Sequence, residues 1–455
     1  MSGDLNVPLR ENSPGNQQLR GRWMRHDTAH LLKRFFFCER ALLLSQAAWL
    51  PKIASLPVKL GLAQAIWEDA LVADALRERV FELRYPSRLL EEEGADAVLI
   101  ALFQNLLESP SVSAFLLAIA SVLAPALRDA YRQYLDLSDP IADAPTRRFL
   151  SSALADKVRQ CQSAEGWCLE ARSAEEGTAS AHSWANAMAD HLQAIGGISV
   201  VEPQCSTSIE RLPGSTPYST PDKPARDPRF WPCRFYWPDN VDSTFPYGEG
   251  TALQMRAAVS HLNEVWAVET GGVILSSFAK SLPWEWVRDA ARWTYDESRH
   301  CHMGYDRLLQ WGFRPAEIPL GTYIYESTAG QDPIYRLGML FFFETKNIQK
   351  KQQRSRLFHS YGDSLSEHDM DFDWADETMH AGFGKHWLKE ILALGNYPGV
   401  TPDQVHTRCS KFVNAIVATA TSAEIRPLRE RSGELLRLAA RGLPLEKRQA
   451  SPENE

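Results

Sequence analysis

Two long stretches of the chain, residues 28–195 and 252–442, are rich in Ala and Leu and contain few strand-like alternations of apolar and polar positions. This pattern predicts helices throughout both stretches. The segment between them is rich in proline, which is incompatible with a regular helix, so we expect a connector there. Its aromatic residues indicate a strap that packs on the protein instead of a free linker. They are Phe230, Trp231, Phe235, Tyr236 and Trp237.

The second stretch divides into four helices that are separated by clear breaks. The predicted helices span residues 253–280, 284–312, 332–358 and 367–394. Pro283 begins the second of these helices, and a cluster of polar residues and glycine at 360–364 forms a turn. A longer connection, residues 311–331, joins the second and third helices. One long crossover of this kind occurs in a known class of four-helix bundle.

The composition is that of an ordinary globular protein, with 44% hydrophobic and 23% charged residues in a chain of 455. This length favours two domains, because a single hydrophobic core rarely grows so large. The formal net charge of -8 argues against a surface dominated by phosphate contacts. Nucleic acid is therefore not the first partner to expect.

The cysteine content and the apolar segments indicate where the protein resides. The seven cysteines are odd in number and include no CxxC pair, which predicts neither a disulfide framework nor a thiolate zinc site. The N-terminal residues lack the apolar core of a secretory signal. The longest apolar stretch, about 114–127, is interrupted and too short to span a bilayer. We therefore expect a soluble cytoplasmic protein without a membrane partner.

Two Glu-x-x-His motifs lie on separate predicted helices of the second stretch. Glu297 precedes His300, and Glu377 precedes His380. Residues three apart share a helix face, so the Glu and His of each motif can reach a common metal ion. Surface turns of the same composition are the alternative, but the paired occurrence would then be a coincidence.

Each motif helix follows a helix that carries one Glu inside an apolar run. These residues are Glu269 and Glu344. A carboxylate is costly to bury unless a cation neutralises it, and either a metal ion or a salt bridge would do so. At a rise of about 1.5 Å per residue, all four Glu positions lie about 20–25 Å from their turns, so they can meet in one layer. Four carboxylates and two imidazoles suit two divalent ions such as iron or manganese.

The second stretch resembles the ferritin-like di-iron superfamily over residues 253–395. The resemblance lies in the segment Trp-x-x-Asp-Glu-Ser-Arg-His, which ends at His300, and in Asp-Glu-Thr-Met-His-Ala-Gly-Phe-Gly, which contains His380. These segments look most like a little-characterised branch related to bacterial tRNA-modifying di-iron hydroxylases. The resemblance implies two iron ions, with manganese as the alternative for one or both, and dioxygen as the co-substrate.

The resemblance also implies a role for each candidate residue. One iron would be bound by Glu269, Glu297 and His300, and the other by Glu344, Glu377 and His380, with Glu297 and Glu377 bridging. Asp296 and Asp376, each four residues before a ligand histidine, would orient an imidazole of the site.

The first stretch repeats part of the same pattern. Glu39 follows an apolar run, and Glu68 comes 29 residues later, against 28 between the corresponding residues of the second stretch. The position three after Glu68 is Leu71, and residues 145–162 contain no Glu-x-x-His. The predicted fold is therefore all-α, with two tandem ferritin-like four-helix bundles joined by a Pro-rich connector, the first bundle being degenerate. The predicted parts are a mobile N-terminal tail (1–27), the degenerate bundle (28–200), the connector (201–251), the di-metal bundle (252–442) and a disordered tail (443–455).

Other residues near the motifs receive a structural interpretation. His302 and His386 are expected to be solvated or to lie in a second layer around the site. Asp373 is expected on a solvated face, although it could supply a further carboxylate. The neighbouring aromatic residues are expected to be core rather than carriers of electrons. They are Trp293, Tyr295 and Trp374.

The leading functional hypothesis is a non-haem di-iron oxygenase or oxidase that hydroxylates or N-oxygenates a small organic substrate. An electron donor or reductase would supply its electrons. The alternative is a metal-stapled structural, interaction or iron-handling protein without oxygenase activity. Modification of tRNA follows from the resemblance alone, and a basic patch would favour it, although such a run is more often a solvated helix face. The patch would contain Lys346, Lys350, Lys351, Arg354 and Arg356. The sequence predicts neither the identity of the substrate nor the oligomeric state.

Overall fold

Regular structure in the computed structural model is almost entirely helical, which confirms the all-α prediction. The structure describes residues 20–84, 90, 96–172, 178–201 and 212–445. Most of the two predicted tails, the first part of the predicted connector and Cys205 lie outside the described residues. The corresponding ranges are 1–19, 202–211 and 446–455.

The first stretch forms helices α1 to α7. Their bounds are α1 Arg25–Trp49, α2 Leu56–Arg84, α3 Asp96–Gln104, α4 Val112–Ala118, α5 Ala124–Leu137, α6 Ala144–Arg172 and α7 Thr178–Ala194. A π-helical turn, Ile119–Leu123, joins α4 to α5, and short 3-10 turns lie at Leu50–Lys52 and Asn105–Glu108.

The second stretch forms helices α8 to α15. Their bounds are α8 Thr251–Leu262, α9 Val265–Phe278, α10 Trp284–Gln310, α11 Tyr323–Glu326, α12 Pro333–Ser360, α13 Ser364–Ala393, α14 Pro402–Ala418 and α15 Ser422–Ala439. Two-residue strands, β1 Trp231–Pro232 and β2 Pro319–Leu320, pair in parallel and tie the connector to the crossover. Further 3-10 turns lie at Pro238–Asn240 and Pro315–Glu317.

One predicted helix, residues 253–280, is in fact two helices, α8 and α9. The break lies at Asn263 and Glu264. The buried Asn263 side chain donates to the carbonyl oxygens of Val259 (2.8 Å) and Pro319 (2.9 Å) and accepts from the Gly321 amide (2.7 Å). These bonds join the break to the crossover between α10 and α12, so tertiary contacts override the local tendency to continue the helix.

Side chains and glycine at the turns explain where the other bundle helices begin. The Asp332 carboxylate caps α12 by accepting from the Ile334 amide, and Pro333 occupies the first helical position. Asp363 caps α13 in the same way, by accepting from the Ser366 amide. Gly362 precedes this cap with a φ of 70°, a conformation that glycine adopts without a Cβ clash.

Helices of both stretches contribute side chains to one continuous hydrophobic core. In particular, α1 and α2 pack against α9 and α10. Gly272 on α9 permits the closest approach, because a Cβ at this position would overlap the Ala47 carbonyl oxygen of α1. The division of the chain into two separate bundles therefore stays a prediction, while the observed packing joins them.

The connector packs on the helices through its aromatic side chains. Phe235 and Trp237 are buried, and the strand pair β1–β2 holds the adjacent backbone against the crossover. The connector thus forms a fixed cover beside the second bundle, and this cover contributes to the site described below.

One stretch of the described residues, Val112–Leu137, is long and apolar enough to cross a membrane by length and composition alone. However, 61% of its most apolar window is buried inside the protein. Phe115 and Tyr131 are among its fully buried side chains. The apolar character of this stretch is accounted for by packing in the core.

Candidate metal centre

Acidic and imidazole side chains from α10, α12, α13 and the α8–α9 junction converge inside the second bundle. One group contains Glu264, His300, Asp373 and Glu377, and the other contains Glu297, Glu344 and His380. Within each group the possible ligand atoms all lie within 4.8 Å of one another. Apart from the partly exposed Glu264, these side chains are buried. The arrangement offers two neighbouring positions for cations.

Five of the six residues proposed from the sequence lie together, but Glu269 does not. Its buried carboxylate pairs instead with Lys59 of α2 and Arg226 of the connector. Glu264, five residues earlier, takes the position that the sequence analysis gave to Glu269. At about 100° per residue on a helix, five residues turn a side chain by about 140° to a different face. The cluster that the structure assembles around the two motifs therefore contains four glutamates and two histidines, together with Asp373.

Glu264 reaches the cluster because the helix breaks at Asn263. A sequence signal for it exists, since His261 and Glu264 form a third pair of His and Glu spaced by three residues. His261 also belongs to the site, with its Nε2 2.8 Å from Asp373 Oδ2. This reversed motif was missed because the apolar run around Glu269 is the stronger signal of burial.

The two aspartates that precede the motif glutamates each contact the histidine of the other motif. Nε2 of His300 lies 3.3 Å from Asp376 Oδ2, and Nε2 of His380 lies 3.3 Å from Asp296 Oδ2. The Arg299 guanidinium donates to both aspartates, at 2.7 and 2.9 Å. These contacts fix the orientation of both rings and turn the opposite nitrogen, Nδ1, towards the glutamates.

The Glu297 carboxylate lies between the two imidazoles. Its Oε1 is 3.2 Å from Nδ1 of His380, and its Oε2 is 3.5 Å from Nδ1 of His300. On the outer sides, Glu264 Oε2 lies 3.2 Å from His300 Nδ1, and Glu344 Oε2 lies 3.7 Å from His380 Nδ1. Glu297 is therefore placed to serve both cation positions.

The central polar atoms of this cluster lack hydrogen-bond partners. They are Glu264 Oε2, both carboxylate oxygens of Glu297, Glu377 Oε2, and Nδ1 of His300 and His380. Buried polar atoms are rarely left unpaired, because each one costs about 1–3 kcal/mol. These atoms come from the residue types that bind iron or manganese, so the donor set fits a pair of such ions.

Lys351 is a further feature that the Glu-x-x-His pattern does not anticipate. Its ammonium lies 2.6 Å from Asp373 Oδ1 and 2.5 Å from Glu377 Oε1, and it is buried. The expectation that Asp373 lies on a solvated face is therefore wrong, and Lys351 does not belong to a surface patch. Asp373 has both oxygens engaged, one by Lys351 and one by His261, which leaves the ligand atoms named above free for a cation.

The cluster carries more negative than positive charge. Its two groups contain five carboxylates, and the Lys351 ammonium balances one of them. Asp296 and Asp376 are balanced separately by the guanidinium groups of Arg292 and Arg299. When the imidazoles are neutral and all five carboxylates are ionised, as metal ligands must be, four negative charges remain, which equals the charge of two divalent cations.

The pKa values of the glutamates reflect this crowding. Burial, together with the neighbouring carboxylates of Glu297 and Glu377, raises the pKa of Glu344 well above its usual value. Burial also raises the pKa of Glu377 to about 7, although Lys351 opposes the shift. Glu297 differs, because the imidazoles of His300 and His380 on either side favour its ionised form, outweigh burial and lower its pKa. The site thus favours cations that bind and hold these carboxylates ionised.

The acidic centre of the first bundle is organised differently. Lys157 donates to Glu39 (3.0 Å) and Asp69 (2.7 Å), and Tyr131 donates to the other oxygen of Glu39. Glu68, the residue expected to repeat Glu297, lies at the side and accepts from Gln160 (3.0 Å). An ammonium group therefore occupies the middle of this centre, between the carboxylates of Glu39 and Asp69.

Trp293 contacts the candidate metal centre directly. Its indole is fully buried, donates from Nε1 to Glu344 Oε2 at 3.1 Å, and stacks on His380 with a centroid distance of 5.4 Å. The sequence predicts only a core role for Trp293. The observed hydrogen bond shows that its indole also orients the Glu344 carboxylate.

A cavity of about 580 Å³ leads to the cluster. Four glutamates line its inner end, namely Glu264, Glu297, Glu344 and Glu377. Its walls come from α8, α12 and the connector. This volume lies within the range of about 300–1,000 Å³ that is usual for small-molecule sites, so an organic ligand can reach the cluster.

Comparisons with known proteins place the chain in a family. Neither the curated proteins nor the solved structures give a match. One family model matches residues 175–424, a range that contains every residue of the two metal-ligand groups. Because this match covers more than half of the sequence, the chain belongs to the family described as proteins of unknown function (DUF455).

Proposed function

We propose that this protein is a non-haem di-iron oxidoreductase of the ferritin-like superfamily, which uses dioxygen to hydroxylate or N-oxygenate a small organic substrate. The observation that carries the proposal is the set of unpaired ligand atoms on three glutamates and two histidines, beside the Glu344 carboxylate, in a cluster where five carboxylates accompany one ammonium group. Glu264, His300 and Glu377 would hold one ion, Glu344 and His380 the other, and Glu297 both. Bound ferrous ions would supply the redox chemistry with dioxygen.

The surrounding residues would orient the ligands and shield the reaction. Asp296 and Asp376 fix the two imidazole rings, and Trp293 holds the Glu344 carboxylate. Lys351 keeps a positive charge beside Glu377, which limits the repulsion among the carboxylates. The connector covers the cavity and reduces access of water, while the cavity admits the substrate.

The proposed function calls for an electron donor and a reducing compartment. Monooxygenation consumes two electrons beyond those that the substrate provides, so an electron donor or reductase is the proposed partner. The described cysteines are free thiols, which supports a reducing compartment such as the cytoplasm.

Oxygen consumption by the iron-loaded protein tests the function. We expect anaerobically reconstituted protein to bind about two ferrous ions per chain, as the donor set requires, and to consume dioxygen once air is admitted. The measurement combines metal analysis with an oxygen electrode, and zinc-loaded protein is the control because zinc has no redox chemistry. Tight iron binding that stabilises the fold without oxygen uptake would instead support the metal-stapled alternative.

The aspartate contacts make a further prediction. Asp296→Asn is expected to weaken iron binding by about 10–100-fold, because His380 loses the carboxylate that orients its ring. Equilibrium dialysis under anaerobic conditions measures the change. Asp289→Asn is the matched control, since Asp289 lies on the same helix and accepts from Trp387 (3.0 Å). Equal affinities of the two variants would contradict the orienting role of Asp296.

A further inference from the structure

The cavity above the metal centre has positive charge at its outer part and negative charge at its inner end. Lys346, Lys350 and Arg354 line it from α12, each four residues after the last, so they share one helix face. The two lysines are exposed and make no ion pair within the described residues. Arg354 likewise lacks a carboxylate partner there and instead lies over the Tyr247 ring, 4.6 Å from its centroid.

Other cations near the cavity are already neutralised. The Arg256 guanidinium bonds both oxygens of Asp239, at 2.8 and 3.1 Å, and Lys351 is held by Asp373 and Glu377. The three cations of α12 are therefore the ones available to a ligand among the described lining residues. They stand out in a chain whose net charge is -8.

Aromatic rings form much of the wall between the cations and the glutamates. They include Tyr247 and Phe245 of the connector, Trp266 of α9 and Phe343 of α12. Flat rings of this kind bind planar organic groups by stacking and by contact with their edges. The wall therefore suits a ligand with an aromatic part more than a simple inorganic anion.

The spacing of the cations and Glu344 along α12 indicates how long the ligand is. Lys350 lies six residues beyond Glu344 and Arg354 lies ten beyond it, which correspond to about 9 and 15 Å along α12. An anionic group bound at these side chains would thus leave the rest of a molecule about 10 Å long pointing at the glutamates.

We propose that the cavity binds an aromatic phosphate monoester, with its phosphate at Lys346, Lys350 and Arg354 and its ring directed at the metal centre. Lysine and arginine are common phosphate ligands, and a phosphate group carries close to two negative charges near neutral pH. The proposal deepens the proposed function by naming its substrate class, and its catalytic meaning rests on that function.

Calorimetric titration of the full-length, iron-loaded, anaerobic protein with phenyl phosphate tests the inference. Phenyl phosphate is expected to bind at least about tenfold more tightly than phenol, because its phosphate accepts charged hydrogen bonds from the cations of α12 that phenol cannot accept. It is also expected to bind more tightly than inorganic phosphate, which lacks the ring, and than benzoate, which carries less charge. Equal affinity for phenyl phosphate and phenol, or a preference for benzoate, would overturn the proposal.

Matched charge variants assign the binding to the cavity. The variant with Lys346→Gln, Lys350→Gln and Arg354→Gln is expected to lose at least about tenfold in phenyl phosphate affinity and to keep its iron content. The control removes three exposed cations elsewhere on α12 and α13, through Arg356→Gln, Lys385→Gln and Lys389→Gln. Equal losses in both variants would overturn the assignment. Phosphate binding without oxygen uptake would refute the proposed function alone, and oxygen uptake without phosphate preference would refute this inference alone.

Discussion

Glu297→Ala is expected to bind less than about one-tenth of the iron that the wild-type protein binds. The two unpaired carboxylate oxygens of Glu297 face Nδ1 of His380 at 3.2 Å and Nδ1 of His300 at 3.5 Å. The substitution therefore removes a ligand from both proposed cation positions. It also removes one of the negative charges that require the ions. Metal analysis after anaerobic reconstitution measures the effect, and oxygen uptake should fall in proportion.

A matched substitution separates this effect from damage to the helix. Glu285 lies on α10 as well, but it is exposed and pairs with Arg77 at 3.6 Å. Glu285→Ala is therefore expected to keep full iron content. If Glu297→Ala also retained full iron content, the central position of Glu297 in the metal centre would be wrong.

Glu269→Ala is expected to lower the free energy of unfolding by about 3–5 kcal/mol and to leave the iron content unchanged. The reason is that the buried Lys59 and Arg226 both lose their shared counter-charge. Burial already lowers the pKa of Lys59 to about 8, so the ammonium would become harder still to keep charged. Urea denaturation of the metal-free protein measures the change.

Glu264→Ala should show the opposite pattern. We expect it to lose iron, while the stability of the metal-free protein is unchanged or higher, because one of five crowded carboxylates is gone. The pair of variants therefore tests which of the two glutamates serves the metal centre. Iron loss in Glu269→Ala, together with normal iron binding by Glu264→Ala, would restore the assignment made from the sequence.

Local spacing was sufficient to find most of the centre. The two Glu-x-x-His motifs place Glu297, His300, Glu377 and His380 on shared helix faces, and the structure brings them together. The equal distances of the glutamates from their turns predict that Glu344 lies in the same layer, and the structure places it beside Glu297 and His380. The all-α fold was predictable as well, because the helical pattern, like the spacing of the motifs, is a local feature of the sequence.

The error at Glu269 has a different cause. An apolar run indicates that a carboxylate is buried, but it does not identify the partner. The true partners are distant in the sequence, with Lys59 lying 210 positions away and Arg226 lying 43 positions away. The break that positions Glu264 depends on bonds from Asn263 to the crossover, which are equally non-local.

Lys351 and Asp373 were accessible to sequence reasoning but were read as surface charges. Lys351 follows Glu344 by seven residues and Asp373 precedes Glu377 by four, so both share the helix face of a ligand. Composition alone favours solvent for a charged residue in a charged run. Where the ligand-bearing faces of two helices meet, however, charged residues on those faces can neutralise one another inside the protein.

The contact between Lys59 and Glu269 crosses from the N-terminal half of the molecule to the half that contains the candidate metal centre. A truncated gene product that began at residue 252 would lack this lysine and would leave the faces of α9 and α10 that pack on α1 and α2 uncovered. The N-terminal half is thus an intramolecular scaffold for the C-terminal half. Recombination at the connector would therefore separate surfaces that are buried against each other in the intact chain.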